Sequence, residues 1–170
     1  MNLKVLEPNG NLFDHQSDCV LAHCIAADFS MTGSTAKQFV DKMNMSNKLK
    51  EWAKMNKIKT LKNPYGNYAV TRPELLGKAV LIDSTFNLIT KLWVYERPVY
   101  ENLQESLLDM KHQVQELGIK KLAMLKVGCD VDGLSWVTVL AIIVKTFRDM
   151  NIEINIVSLP DAFNRGELSE

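Results

Sequence analysis

Residues 18–39 read DCVLAHCIAADFSMTGSTAKQF, and their order of textures decides the fold class. The first part, residues 18–27, is nearly continuous in apolar residues. It reads as a strand buried on both faces, the habit of parallel sheets. A polar loop follows, DFSMTGS, and then TAKQFVDKM opens a helix. A buried strand that feeds a helix through a glycine- and hydroxyl-bearing loop is the unit of an α/β protein.

The rest of the chain repeats that alternation. LKVLE is an opening strand closed by the turn signal PNGN, and MSNKLKEWAKM continues helical after a break. KIKTL is ambiguous, NPYGN is a turn, and YAVTR, KAVLIDS and TFNLITKLWVY read as strands. After Pro98, Leu103, Leu107, Met110, Val114 and Leu117 fall at helical spacing, with Gly118 as the C-terminal cap. KKLAMLKV is a strand. Trp136 to Phe147 is rich in β-branched residues, yet Trp136, Val139, Leu140, Ile143 and Phe147 line one helical face, with Ser135 as N-cap. The run is too long for a typical strand, so a helix is expected. IEINIVSL is the last strand. The expectation is one three-layer α/β domain over 1–159 with a polar tail, 160–170.

Composition narrows the function classes. The 170 residues suit a single domain, and 46% hydrophobic with 24% charged residues is a globular profile. Twenty basic side chains balance twenty acidic ones, which disfavours a generic nucleic-acid coat or a binder of anionic membranes. A small anion held in a local pocket stays open. Cys19, Cys24 and Cys129 are odd in number and widely spaced, with no C-x-x-C, as expected of a cytoplasmic chain without a disulfide framework or zinc ribbon. No stretch reaches the ~20 apolar residues that span a bilayer.

In open α/β sheets, ligands bind where strands run into helices. Two loops have that character. In DFSMTGST, Gly33, Ser34 and Thr35 sit where a helix begins, so free amides and the helix dipole favour an anion there. The same residues also make an ordinary helix cap, and Lys37 is misplaced for a Walker motif. In GCDVDGLS, residues 128–135, Gly128 and Gly133 permit tight turns. Asp130 and Asp132 can orient a ribose hydroxyl, polarise a water or bind a metal, or serve as turn residues; the spacing of a calcium loop is not met. Lys91, on the strand face of Ile89 and Trp93, is a candidate nucleophile, although most such lysines reach to solvent along their stems. His23 and Cys24 are neighbours on a strand, point to opposite faces and cannot share an ion, so no metal is expected and His23 reads as a hydrogen-bonded core residue.

Together the blocks GNLF (10–13), LAHCIAADFSMTGSTAKQF (21–39), LITK (88–91), YENLQESLLDMK (100–111) and VGCDVDGLSW (127–136) resemble the macrodomain family, in particular its terminal ADP-ribose protein glycohydrolase-like members. The resemblance covers roughly residues 3–159. It implies a mixed central sheet between helices and an ADP-ribose pocket. Gly10, Asn11 and Leu12 would lie at the adenine end, and Ile25 and Ala26 would line the cleft. Thr32, Gly33, Ser34 and Thr35 would cradle the diphosphate, and Gly128, Cys129, Asp130 and Val131 would close over the phosphates and distal ribose. Lys91 and Asp132 match the family's catalytic lysine and aspartate. Where the family usually carries aspartate this chain has Asn11; its glycine-rich loop appears as Met31-Thr32-Gly33-Ser34; and Asp130 replaces a glycine. The expected activity is release of ADP-ribose from a modified carboxylate or nucleobase. The alternatives are a non-catalytic ADP-ribose-binding module and an ADP-ribose 1″-phosphate phosphatase. The expected partners are ADP-ribose or an ADP-ribosylated protein or nucleic acid, met by a monomer without membrane or cofactor.

Overall fold

The computed structural model describes residues 2–66, 69–129 and 132–158, the Ser34 side chain excepted. The 160–170 tail expected from the sequence lies outside them. Six strands form the main sheet in the order β1-β8-β7-β2-β6-β5. They are β1 (Lys4–Leu6), β2 (Val20–Ala26), β5 (Ala79–Ile82), β6 (Thr85–Lys91), β7 (Lys121–Met124) and β8 (Glu153–Ile156). All neighbours run parallel except β5, which pairs antiparallel with β6. Asp83 and Ser84 join that hairpin, both at positive φ (48° and 59°), as a two-residue turn matched to strand twist requires. The ambiguous KIKTL and the expected strand YAVTR yield only a small pair apart from the sheet, β3 (Leu61–Lys62) and β4 (Val70–Thr71).

The period of two along each strand sorts side chains into two cores. Ala22, Phe86, Leu88, Leu122 and Met124 face α3 (Tyr100–Leu117) and α4 (Trp136–Phe147). Leu21, Ile25, Ile89 and Ala123 face the other way, against α1 (Ser34–Met43) and α2 (Met45–Met55). The break between α1 and α2 is Asn44, which is left-handed at φ 54°. Gly118 caps α3 in the left-handed region, as the sequence implied. The mixed sheet between helical layers is the architecture expected.

Helix α4 has the bounds its periodicity gave, but it buries less of itself than that stripe suggested. Val139, Ile143, Thr146 and Phe147 are buried, whereas Trp136 and Leu140 stay partly exposed. Trp136 opens the helix, with the Lys126 ammonium 5.6 Å from its ring centroid. Ser135 occupies the N-cap without a side-chain capping bond; its amide donates to Tyr100 Oη at 3.0 Å.

Because β1, β2, β6, β7 and β8 are parallel, the segments after all five emerge along one edge. That edge collects residues 7–11, 27–33, 92–99, 125–129, 132–135 and 157–158, with Asn11, Thr32, Gly33, Gly128, Cys129 and Asp132 among them. The bridge between Asn9 and Ser158 ties the first of these segments to the last.

Candidate active site

Strand β6 ends at Lys91, earlier than the reading of TFNLITKLWVY as one strand allowed. Its pairing with β2 slips there: Ile25 is opposite Ile89 but Ala26 is opposite Lys91, so Thr90 is an extra residue. Such bulges re-aim side chains. The simple alternation that put Lys91 on a face with Ile89 and Trp93 therefore stops at this point. Lys91 Nζ donates to Asp132 Oδ1 at 2.8 Å and to the Val94 carbonyl at 2.9 Å. The two candidate catalytic side chains, 41 residues apart in sequence, meet at the carboxyl edge.

The loop that brings Asp132 there is closed at its neck, where Leu134 N donates to Gly128 O at 2.8 Å. Gly128 has φ +75°, and a Cβ on it would lie 2.8 Å from Leu134 Cδ1, so the closure needs glycine. Cys129 leaves its thiol on the Val127 carbonyl at 3.4 Å, and burial pushes that thiol up, which suits packing better than reactivity. Asp130 and Val131 lie outside the described residues.

Across the cleft, Gly33 is the N-cap of α1 and makes no side-chain cap; a Cβ there would meet nothing within 4 Å. The amides of the first helical turn have no partner within the helix, which is how helix N-termini hold phosphate. Thr32 is exposed and Thr35 partly buried beside them. Ile25 and Ala26 close β2 next to Lys91 and are almost wholly buried. Asn11 and Leu12 fall at the far end of the same edge. Leu12 is buried in the core of α1 and α2. Asn11 Oδ1 accepts from Phe13 N at 2.9 Å, and the Asn11 backbone N–H donates to Asp14 Oδ2 at 3.4 Å, as in a capping box.

The sequence reading passed over Asp28 and Arg72. Asp28 Oδ1 accepts from Ser30 N at 2.9 Å and Oδ2 from Val94 N at 2.8 Å, tying the loop after β2 to the turn after β6. Val94 thus joins Asp28 through its amide to Lys91 through its carbonyl. The buried Arg72 guanidinium lies 4.0 Å from the Phe29 ring and donates to Ala27 O at 3.2 Å. Burial lowers its pKa and Asp28 opposes that. Phe29 is held at φ 58°, a conformation costing about 1–3 kcal/mol in a bulky residue. The D-x-S spacing of an Asx turn in DFS was the available signal for Asp28; nothing local marked Arg72.

His15, Asp18 and Cys19 bring their polar atoms within 4.8 Å of one another, at the opposite end of β2 from the cleft. Burial first and Asp18 next push the Cys19 thiol up to about 11, so it is a poor ligand at neutral pH.

The chain is 32% identical over 151 residues to human ADP-ribose glycohydrolase OARD1, covering 88% of each, and 31% identical to the bovine protein. It belongs to the macrodomain family. Among solved structures, the macrodomain of Mycobacterium tuberculosis DarG has a TM-score of 0.72 at 18% identity, over 94% of this chain and 99% of that one. Thermosipho africanus DarTG in complex with ADP-ribose gives 0.69 at 16% identity, over 95% of this chain and 44% of that one. Those two identities speak for the macrodomain fold alone. No family model matches the chain. Among the described residues, no helix is long and apolar enough to cross a membrane.

Proposed function

We propose that this macrodomain hydrolyses ADP-ribosyl linkages, with Lys91 as nucleophile and Asp132 as its proton partner. The observation that carries the reading is the 2.8 Å contact between Lys91 Nζ and Asp132 Oδ1, at the edge that also carries the uncapped start of α1. The human and bovine relatives, named ADP-ribose glycohydrolase, support the same class of substrate. In this reading the diphosphate lies on the amides after Gly33, and the distal ribose lies between the loops of residues 27–33 and 128–135.

The chemistry follows from the pair. Lys91 Nζ attacks the anomeric carbon of the distal ribose, and the bond from that carbon to the target's oxygen or nitrogen breaks. Asp132 takes the proton lost by the attacking amine and returns it to the leaving group. Water then cleaves the new C–N bond, which frees ADP-ribose and restores the lysine. Asp28 holds the Val94 turn, so the carbonyl that accepts from Nζ stays fixed.

The test is turnover of an ADP-ribosylated glutamate peptide and an ADP-ribosylated oligonucleotide, with cyanoborohydride added to trap a ring-opened imine. The expected result is release of ADP-ribose and a reduced adduct on the Lys91 peptide. Unchanged turnover in Lys91→Ala overturns the lysine mechanism. Tight ADP-ribose binding without turnover on either linkage returns the chain to a binding module.

A further inference from the structure

A cavity of about 330 Å³ lies across the 92–95 turn from Lys91. Its walls include Asp28, Lys50, Asn63, Arg72, Trp93 and Tyr95. Val94 is the partition: its carbonyl holds Lys91 Nζ, and its amide bonds to Asp28 on the cavity side. The hydrolase reading uses only Asp28 and Val94 of its lining, to hold the turn, and gives the cavity itself no role.

The surface around it is unlike the rest of a neutral protein. Residues 45–63 carry six lysines against the single Glu51. Lys48 pairs with Asp83. Lys50, Lys54, Lys57, Lys59 and Lys62 are exposed, and among the described residues none of them is in an ion pair. Lys50 and Lys54 share one stripe of α2, Lys57 follows at the turn, and Lys62 lies on β3 beside Asn63. The nearby carboxylates accept backbone N–H groups: Asp28 from Ser30 and Val94, Glu74 from Lys59 and Glu96 from Trp93, with Glu74 and Glu96 still exposed.

Aromatic rings meet this stripe at the cavity mouth. Tyr95 is 63% exposed and lies parallel to Trp93, with centroids 6.1 Å apart and planes 8° apart. Tyr65 is 87% exposed on the turn that Asn63 holds. Local desolvation, Glu96 and Tyr65, in that order, push the Tyr95 phenol up, so the two tyrosines share one patch. A track of free ammonium groups leading to exposed tyrosines is the chemistry that holds a single-stranded nucleic acid: charge for phosphates, π-faces for unstacked bases. An acidic peptide would use the lysines but not the rings, and a duplex keeps its bases inside the stack.

We propose that this face docks single-stranded nucleic acid, its phosphates along Lys50, Lys54, Lys57 and Lys62 and a base on Tyr95 at the cavity mouth. That the strand presents its modified nucleotide to Lys91 rests on the hydrolase reading; the docking itself does not. The neutral total charge and the sparse aromatics of the sequence hide the face, because the lysines and Tyr95 come together only through the β3–β4 pair and the turn after β6.

The experiment is fluorescence anisotropy with a labelled, unmodified thymidylate strand and its uridylate counterpart. Salt is stepped from about 50 to about 200 mM, where four phosphate contacts predict a loss of roughly 50-fold. The triple variant K50E/K54E/K57E should weaken binding at least about tenfold and Tyr95→Ala about fivefold or more. ADP-ribose affinity, measured by calorimetry, should stay at the wild-type value in both, which also shows that they fold. No binding of either strand at low salt, wild-type binding by the triple variant, or equal binding of an annealed duplex overturns the proposal. So does a polyglutamate peptide that competes as well as the strand. Strand binding by a wild-type protein that binds no ADP-ribose upholds the docking face and removes the hydrolase reading instead.

Discussion

Strand β6 carries a lysine–aspartate pair at each end. At its start, Lys48 of α2 reaches Asp83 in the hairpin turn, with side chains 40% and 52% exposed. At its finish, Lys91 reaches Asp132, with side chains 11% and 22% exposed. The partners are chemically identical, and the surroundings differ. Lys48 and Asp83 share their contact with water and salt, which leaves such pairs worth about 0–1 kcal/mol. Lys91 also donates to a backbone carbonyl, and its carboxylate partner is mounted on a loop with a glycine-dependent neck. The first pair decorates a turn. The second is a held arrangement of an amine and a carboxylate beside an open helix N-terminus.

The sharpest way to break this contrast is to remove each lysine in turn. Lys91→Ala should lower kcat/KM by about 10³ or more, and Asp132→Ala by about 10²–10⁴, with thermal unfolding little changed. Lys48→Ala should leave turnover within about twofold of wild type. Release of ADP-ribose followed by chromatography measures all three. Equal losses at the two ends would mean that burial and loop mounting are not what separates them.

How much of this was legible in the sequence depends on what positions each residue. The alternation of strands and helices was readable because local periodicity sets it: α4 runs over Trp136–Phe147 as its apolar spacing implied, despite β-branched composition. Lys91 and Asp132 were readable one at a time, through the motifs LITK and GCDVD. Their contact was not, because it depends on the slipped pairing at Thr90 and the closure of Gly128 by Leu134, both products of tertiary packing. Arg72 was invisible for a stronger reason. It follows a two-residue strand outside the main sheet, and its partners, Phe29 and Ala27, are more than forty positions away.

Midway along β6, through Asn87, the contrast extends to a group on the neighbouring strand kept without charge. His23 of β2 stacks on Phe39 at 3.9 Å and meets Asn87 Oδ1 at 2.6 Å. Asn87 donates its own amide to Val80 O, so the histidine Nε2 carries the proton of that bond. Nδ1 is buried without a partner among the described residues. Burial lowers the His23 pKa from 6.5 to about 4, and the Asn87 bond opposes that only in part. The unfolded chain then takes up the proton more readily than the folded one between those values. Stability should be flat above pH ~6.5 and fall by about 3 kcal/mol as pH drops towards ~4. Urea unfolding at several pH values measures the slope, and His23→Phe should flatten it. A slope that survives in the variant would assign the loss to other groups.

Gly128→Ala probes how firmly Asp132 is mounted. The new methyl group meets Leu134 and needs an unfavourable φ, so a stability loss of about 1–2 kcal/mol is expected. The loop must shift to relieve the clash, and kcat should fall more than KM changes. A pure stability loss with wild-type kcat would show that the neck does not set the carboxylate.

The smallest effect belongs to the exposed pair. Lys48→Ala and Asp83→Ala should each change unfolding free energy by less than about 1 kcal/mol, and the double variant should differ little from their sum. Asp83 itself sits at positive φ, so its replacement by alanine carries a backbone term that Lys48→Ala lacks. The coupling in the double-mutant cycle removes that term, since it is common to both Asp83 variants. Raising salt towards molar concentration should shrink the coupling further, because exposed charges are screened over a few ångströms there. A coupling well above 1 kcal/mol that persists in high salt would make the pair at the hairpin a structural clasp, and the two ends of β6 would then differ in chemistry but not in strength.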